Sequence, residues 1–443
     1  MAKSDFSLKI HNLQLTIMST LLQKVRVIDP VSGTDQHSKD VLIVDGYIKA
    51  VENNISSVSD NTEIKDCRGL ILGPGLVDLY SHSGEPGFEE RETLLSLCNA
   101  AISGGFTRLS ILPDTSPVVD HPAILAWLKA KALPHSPPPG ELPHSPHLHF
   151  WGALTLGLQG QQMTELAELA AAGVAGFADG QPLENLALVR RLLEYLQPLG
   201  KPIAFWPCDR KLKGDGVMRE GINSLRFGLP GNPAISETSA IAALLEVVAA
   251  TRTPVHIMRV STSRGVELIS QAKASGLPIT ASTTWMHLLV DTKSIGSYQT
   301  SLRLDPPLGN HDDLLALRQA VRTGVLDAIA IDHQGYTYEE KTVTFAEAPT
   351  GAIGLELALP LLWQNLVATG DWSALELWRA LSSQPALCLQ QTTAAIATGS
   401  RAELTLFDPQ KTWLVSSQNL KSHSSNTPWL GQQLEGRVVQ MWL

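Results

Sequence analysis

The chain has 443 residues, of which 44% are hydrophobic and 17% charged, so it can bury a large core and is not a disordered protein. The length fits two or three domains, or one barrel beside a small domain. A formal net charge of −9 excludes a general nucleic-acid binder, and no apolar run is long enough to span a membrane.

The N-terminus lacks the apolar core of a signal peptide. Met18 stands before the first clear strand, so residues 1–18 are expected to be a disordered tail or an over-extended start. Within 19–74 the pattern is short strands and turns. Two apolar runs, 41–44 and 47–51, flank Asp45-Gly46, a hairpin signal.

From Gly75 the pattern becomes strand then helix, repeated. Apolar runs of strand length lie at 75–82, 108–114, 149–155, 173–179, 202–209, 254–261, 278–285 and 327–333. Helical patterns separate them, for example at 184–199, 237–250 and 312–323. Eight parallel strands alternating with helices predict an α/β fold, a (β/α)8 TIM barrel over 75–397. In that architecture chemistry sits at the C-terminal strand ends, and several runs end in polar residues: His82, Asp114, Asp179, Asp209, Ser261 and His333.

The segment 132–148 repeats Leu-Pro-His-Ser-Pro and is rich in Pro and His. It reads as a surface insertion rather than a metal-binding tract. Strand signals return after 397, at 402–407 and 436–442. Residues 19–74 and 398–443 are therefore expected to form one composite β-sandwich domain. Cys67, Cys98, Cys208 and Cys388 are widely spaced with no CxxC, which fits reduced, buried thiols in a cytoplasm.

The chemistry is concentrated at Asp78-Leu79-Tyr80-Ser81-His82, which looks like a metal-binding Asp-x-His-x-His with one ligand missing. Imidazoles at i and i+2 on a strand end point the same way and can grip one cation together. Tyr80 holds the first of those positions, and a phenol with a pKa of about 10 is a poor substitute.

Further landmarks follow in order: Pro74-Gly75-Leu76-Val77-Asp78, Glu85-Pro86-Gly87-Phe88, Gly104-Gly105-Phe106-Thr107, Leu112-Pro113-Asp114, Val260-Ser261-Thr262, Pro306-Pro307-Leu308, Asp332-His333 and Asn426-Thr427-Pro428. In this order and spacing the chain, from about residue 21 to its end, resembles dihydroorotase, of the amidohydrolase superfamily. The resemblance implies hydrolysis of the cyclic amide of dihydroorotate, or its reversal, in pyrimidine biosynthesis. It also implies one or two zinc ions that activate water, and an eighth-strand aspartate that shuttles the proton.

The site implied by the resemblance is heavily altered. Its paired first-strand histidines fall on Tyr80 and His82, and its substrate-binding arginine falls on Gly84. The second-strand asparagine becomes Asp114. On the fourth strand Asp179 is a candidate for the metal-bridging position. The fifth- and sixth-strand histidines become Trp206 and Arg259, and Cys208 or Asp209 could stand in for the former only with a register shift. His256, three residues before Arg259, is expected to face the other side of its strand. The seventh-strand Pro-His-His becomes Trp285-Met286-His287. Asp305 replaces an asparagine in the Pro-Pro-Leu segment, and Tyr336 replaces a histidine after the eighth strand. Asp332 keeps the catalytic position, and beside Arg259 it could equally form an ion pair.

A catalytic zinc generally needs three good protein ligands. No cofactor is therefore expected, with His82 and Asp179 as remnants of the metal set. The leading expectation is a catalytically silent dihydroorotase homologue, cytoplasmic and oligomeric. It would serve as a structural or regulatory subunit with aspartate carbamoyltransferase or an active dihydroorotase, without nucleic-acid or membrane partners. The alternatives are a cyclic amidohydrolase with an altered or weak-metal site, and a metabolite-binding pseudoenzyme.

Overall fold

The computed structural model describes residues 19–132 and 145–443. The expected tail, 1–18, and most of the Pro/His-rich segment lie outside the described residues. The early strands are β1 (Ser19–Asp29), β2 (Thr34–Val44), β3 (Tyr47–Glu52), β4 (Thr62–Asp66) and β5 (Ile71–Pro74). There follow β6 (Leu76–Ser81), β7 (Phe106–Ile111), β8 (His147–Gly152), β9 (Gly176–Phe177) and β10 (Ala204–Phe205). After a short pair, β11 (Met218–Arg219) and β12 (Gly231–Asn232), come β13 (Val255–Ile257), β14 (Ile279–Thr284) and β15 (Ala328–Ala330). The last strands are β16 (Leu404–Leu414) and β17 (Gln433–Trp442).

The two ends of the chain meet in one sheet. Its order is β17-β16-β5-β1-β2-β3, with β4 beside the first half of β1. These seven strands form one hydrogen-bonded sheet, with β1 paired to β2 on one edge and to β4 and β5 in turn on the other. β3 returns to the segment before β16, Ile48 N donating to Ser400 O (2.9 Å), so that the sheet curls around its own buried cluster. The Asp45-Gly46 hairpin forms with φ of 50° and 74° at the two turn residues, the left-handed pair that a two-residue turn needs.

The middle of the chain is mixed α/β, with each run of strand character forming a parallel strand. β6 to β9 form one four-stranded sheet and β10, β13, β14 and β15 another. A parallel bridge between Phe177 and Ile203 joins the first sheet to the second. The far edges meet where Asp332 N donates to Tyr80 O (3.0 Å) and His82 N donates to His333 O (2.8 Å). The eight strands thus follow one another round a ring in chain order. Helices including Leu94–Gly104, Leu186–Leu196, Ile235–Thr251 and His311–Thr323 connect them.

Side chains fill the ring. Leu79, Tyr80, Trp151, Met258, Ala328 and Ala330 form one buried cluster, with small alanines leaving room for the Trp151 indole. Trp151 satisfies its own donor on Leu79 O (3.0 Å). Asp78 stitches the first strand to the last: its buried carboxyl accepts from Ile331 N (2.8 Å) and from Ser81 Oγ (2.5 Å), and Ser81 Oγ accepts from His333 N (2.9 Å).

The C-terminal segment is clasped onto the ring by two buried glutamates. Glu92 accepts from Ser422 Oγ and from His423 N (2.9 Å), and lies 3.3 Å from His333 Nε2. Glu356 Oε1 accepts from Lys421 N (2.7 Å) and Ser422 N (3.1 Å), while its other oxygen is buried without a partner. Burial outweighs these bonds and pushes the Glu356 pKa up from 4.5 to about 7. A carboxyl raised on folding stabilises most below its unfolded pKa, and that contribution is lost as pH rises through the folded value. Glu356→Gln keeps the acceptor oxygen and does not titrate. Measured by urea unfolding, the variant is expected to gain about 2–3 kcal/mol on the wild type between pH 4.5 and pH 8.

Candidate active site

Tyr80 and His82 at the end of β6, Arg259 just beyond β13 and Asp332 just beyond β15 converge at the C-terminal mouth of the ring. The Arg259 guanidinium holds the Asp332 carboxylate in a bidentate pair, Nε to Oδ2 at 2.9 Å and Nη2 to Oδ1 at 2.6 Å. Its Nη1 donates to Gly180 O (2.9 Å), and Nη2 lies 3.1 Å from His82 Nε2. The guanidinium carbon stands 4.9 Å from the Trp206 ring centre and 5.6 Å from that of Tyr80. Arg259 is only 4% exposed. Both members of the ion pair have left-handed backbones, φ 56° at Arg259 and φ 52° at Asp332. In non-glycine residues that costs of order 1–3 kcal/mol each, so the surrounding contacts must hold them there.

The charges reinforce one another. Burial would raise the Asp332 pKa, but Arg259 and His82 hold it well below the usual carboxylate range. Burial would lower that of His82, yet Asp114 and Asp332 raise it to about 9. His82 Nδ1 sits 2.6 Å from Asp114 Oδ2 and Nε2 lies 3.3 Å from Asp332 Oδ1. The Tyr80 phenol is pushed up by burial and by Asp332, and stays protonated. Its oxygen accepts from Arg259 N (3.1 Å) and shares a hydrogen bond with Ser282 Oγ (3.0 Å).

The other altered positions divide into two groups. Trp206, Asp114 and Asp305 line, with His82, Arg259 and His287, a cavity of about 130 Å³ above the ion pair. Asp305 pairs with Lys213, and one oxygen each of Asp114 and Asp305 is buried without a protein partner. His287 is held by Thr284 Oγ1 (2.7 Å), and burial lowers its pKa to about 4. Gly84 and Tyr336 do not line this cavity. A Cβ at Gly84 would lie 2.4 Å from both Phe88 O and Glu92 O, so the turn admits no side chain there. Tyr336 packs its ring under Arg91 and Lys341.

Two expectations need correction. Asp179 is not part of the cluster: it accepts from Leu154 N (2.7 Å) and Thr155 N (3.0 Å) through one oxygen and Thr155 Oγ1 (2.5 Å) through the other, and so ties down the loop after β8. His256 does not face away from the site. It lies within the same hydrogen-bonded network, its Nε2 2.8 Å from the Ser282 Oγ that also meets Tyr80. The strand ends at Ile257, and the positive φ of Arg259 breaks the alternation of sides. Burial lowers the His256 pKa to about 3, so it is neutral. Cys208 and Asp209 line a separate groove with Leu186 and Leu244, and Asp209 caps a short helix.

Sequence reasoning missed the brace behind Arg259. Glu237 accepts from Ser261 N (3.1 Å) and Thr262 N (3.0 Å), and the buried Arg219 donates to Ser261 Oγ (2.6 Å). This explains why Val260-Ser261-Thr262 is a landmark, but nothing local in the sequence names its partners.

Residues 69–264 match the family described as Dihydro-orotase-like. A protein of Synechocystis sp. described as a probable dihydroorotase-like protein is 45% identical, over 94% of this chain and 98% of its own length. The chain belongs to the dihydroorotase-like family. The dihydroorotase of Pelobacter propionicus is 36% identical, over 95% of this chain and 97% of its own length. The L-hydantoinase (dihydropyrimidinase) of Arthrobacter aurescens has the same fold, with a TM-score of 0.79 at 20% identity, covering 95% and 94% of the two chains.

The residues of this dihydroorotase-like chain do not fit a zinc centre. Its one first-strand imidazole faces a guanidinium rather than an open coordination position, and that guanidinium holds the Asp332 carboxylate in a fork. Among the described residues, no group of three or more His, Cys, Asp and Glu side chains is arranged to hold a metal ion. Nor does any helix of the described residues have the length and apolarity to cross a membrane.

Gly84→Arg would put back the arginine that the family resemblance implies. The backbone oxygens at 2.4 Å leave it no room. It is expected to lower stability by about 1–3 kcal/mol in chemical denaturation without gaining affinity for a carboxylate ligand in calorimetry.

Proposed function

We propose that this chain is a (β/α)8 amidohydrolase-type barrel that has kept its architecture and lost its hydrolytic chemistry. It acts in the cytoplasm as a structural or regulatory subunit of pyrimidine biosynthesis. The observation that carries the reading is the Arg259–Asp332 pair. The residue in the position of the catalytic aspartate is locked to a fixed cation, and that cation lies against His82 where a metal would bind. An ionised carboxylate in a bidentate pair is a weak proton acceptor, and no group here lowers the pKa of an attacking water.

The loss extends to substrate binding. A family substrate carries a carboxylate, and the three positions that would grip it are a bare glycine and two carboxylates, Asp114 and Asp305. Both carboxylates are already paired, Asp114 with His82 and Asp305 with Lys213, so neither position offers such a substrate a cation. The partner that this reading favours is aspartate carbamoyltransferase, with a separate active dihydroorotase completing the step.

Relatives described as dihydroorotases at 34–36% identity favour a second reading, a working cyclic amidohydrolase with an altered site. A third, a metabolite-binding pseudoenzyme, rests on the cavity and its two unpartnered carboxylate oxygens, which suit a small ligand bearing N–H donors. Metal analysis of the purified protein together with a dihydroorotate hydrolysis assay separates the first two. The expected result is substoichiometric zinc and no turnover above background; stoichiometric zinc with turnover sinks the silent reading. The partner is tested by size-exclusion chromatography with the aspartate carbamoyltransferase of the same organism. A shared peak is expected, and independent migration of both proteins at micromolar concentration contradicts it.

A further inference from the structure

We infer that the Arg259 side chain is the resident cation of this site: a tethered guanidinium does the electrostatic work of a metal, so the mouth of the ring is a guanidinium receptor. This deepens the silent reading above and rests on it. That reading says which chemistry is gone; the present one says what holds the emptied site together.

Every face of the guanidinium is matched by a different element. The loop after β15 gives the Asp332 fork and the loop after β9 gives the Gly180 carbonyl. Trp206 and Tyr80 supply aromatic faces, and the Tyr80 hydroxyl fixes the Arg259 backbone. A planar, delocalised cation matches such a forked carboxylate and flat walls better than a compact ammonium does. The surroundings also need the charge. Asp332 and Asp114 both line the cavity, and Asp78 lies buried beneath. Without Arg259, the buried Asp332 would lose its forked partner and keep only His82, which Asp114 already engages at 2.6 Å.

The test uses the full chain and reads thermal unfolding and metal content. Arg259→Ala is expected to lower Tm by about 3–5 °C. Methylguanidinium should restore the loss saturably, and methylammonium of equal charge should not. Arg259→Lys, which keeps the charge and loses the fork, should retain only part of the wild-type Tm. Should Arg259→Ala fail to fold, the double variant Arg259→Ala/Asp332→Asn is decisive. Recovery of folding shows that the stranded carboxylate was the cause, whereas a double variant no better than the single overturns the proposal. An Arg259→Ala protein with wild-type Tm also overturns it. So does equal rescue by methylguanidinium and methylammonium, since the site would then need charge but not a guanidinium. These outcomes are independent of turnover. Wild-type zinc binding with hydrolysis would defeat the silent reading, while a failed rescue in a zinc-free, inactive protein defeats only this one.

Discussion

A single buried ion pair organises the mouth of this protein. Arg259 and Asp332 come from loops on two different strands, and each adopts a left-handed backbone to meet the other. Removing two charges from water is costly, and a buried pair repays this only with good geometry and with its remaining donors and acceptors satisfied. The fork is bidentate, and Nη1 turns to Gly180 O. The positions of Tyr80, Trp206 and His82 follow from that centre. The phenol and the indole are where a guanidinium can use them, and none of the three leaves an open position for a metal.

The ring closes through contacts other than this ion pair. Asp78, Ser81 and the backbone of β15 join the first strand of the ring to the last one layer below the site. Trp151 and a set of alanines fill the interior. On the outside, Glu92 and Glu356 clasp the C-terminal segment, and Asn426 bonds Tyr336 N (3.1 Å) and Gln334 O (3.0 Å). The landmarks that mark the family in sequence therefore belong largely to this scaffold. They can be kept while the ligand set is exchanged.

Much of this was legible in the sequence. The parallel strands announced themselves as apolar runs, and the altered ligand positions could be placed because the landmarks around them fix the register. What could not be read was the direction in which side chains turn once regular structure ends. Asp179 looked like a metal ligand, but its partners are the backbone amides of Leu154 and Thr155, which carry no sequence signal. His256 was assigned to the wrong side because strand alternation was extended past Ile257, where the backbone had already left the β region. The Glu237–Arg219 brace joins segments whose proximity only the fold reveals.

The central claim is that a guanidinium stands where the family resemblance implies a metal. It is tested most directly by anomalous diffraction at the zinc edge, on crystals of the wild-type protein grown in the presence of zinc. The account predicts continuous density for the Arg259 side chain reaching Asp332 and no anomalous peak beside His82. A strong peak about 2.0–2.1 Å from His82 Nε2, with Arg259 turned out of the mouth, would contradict it.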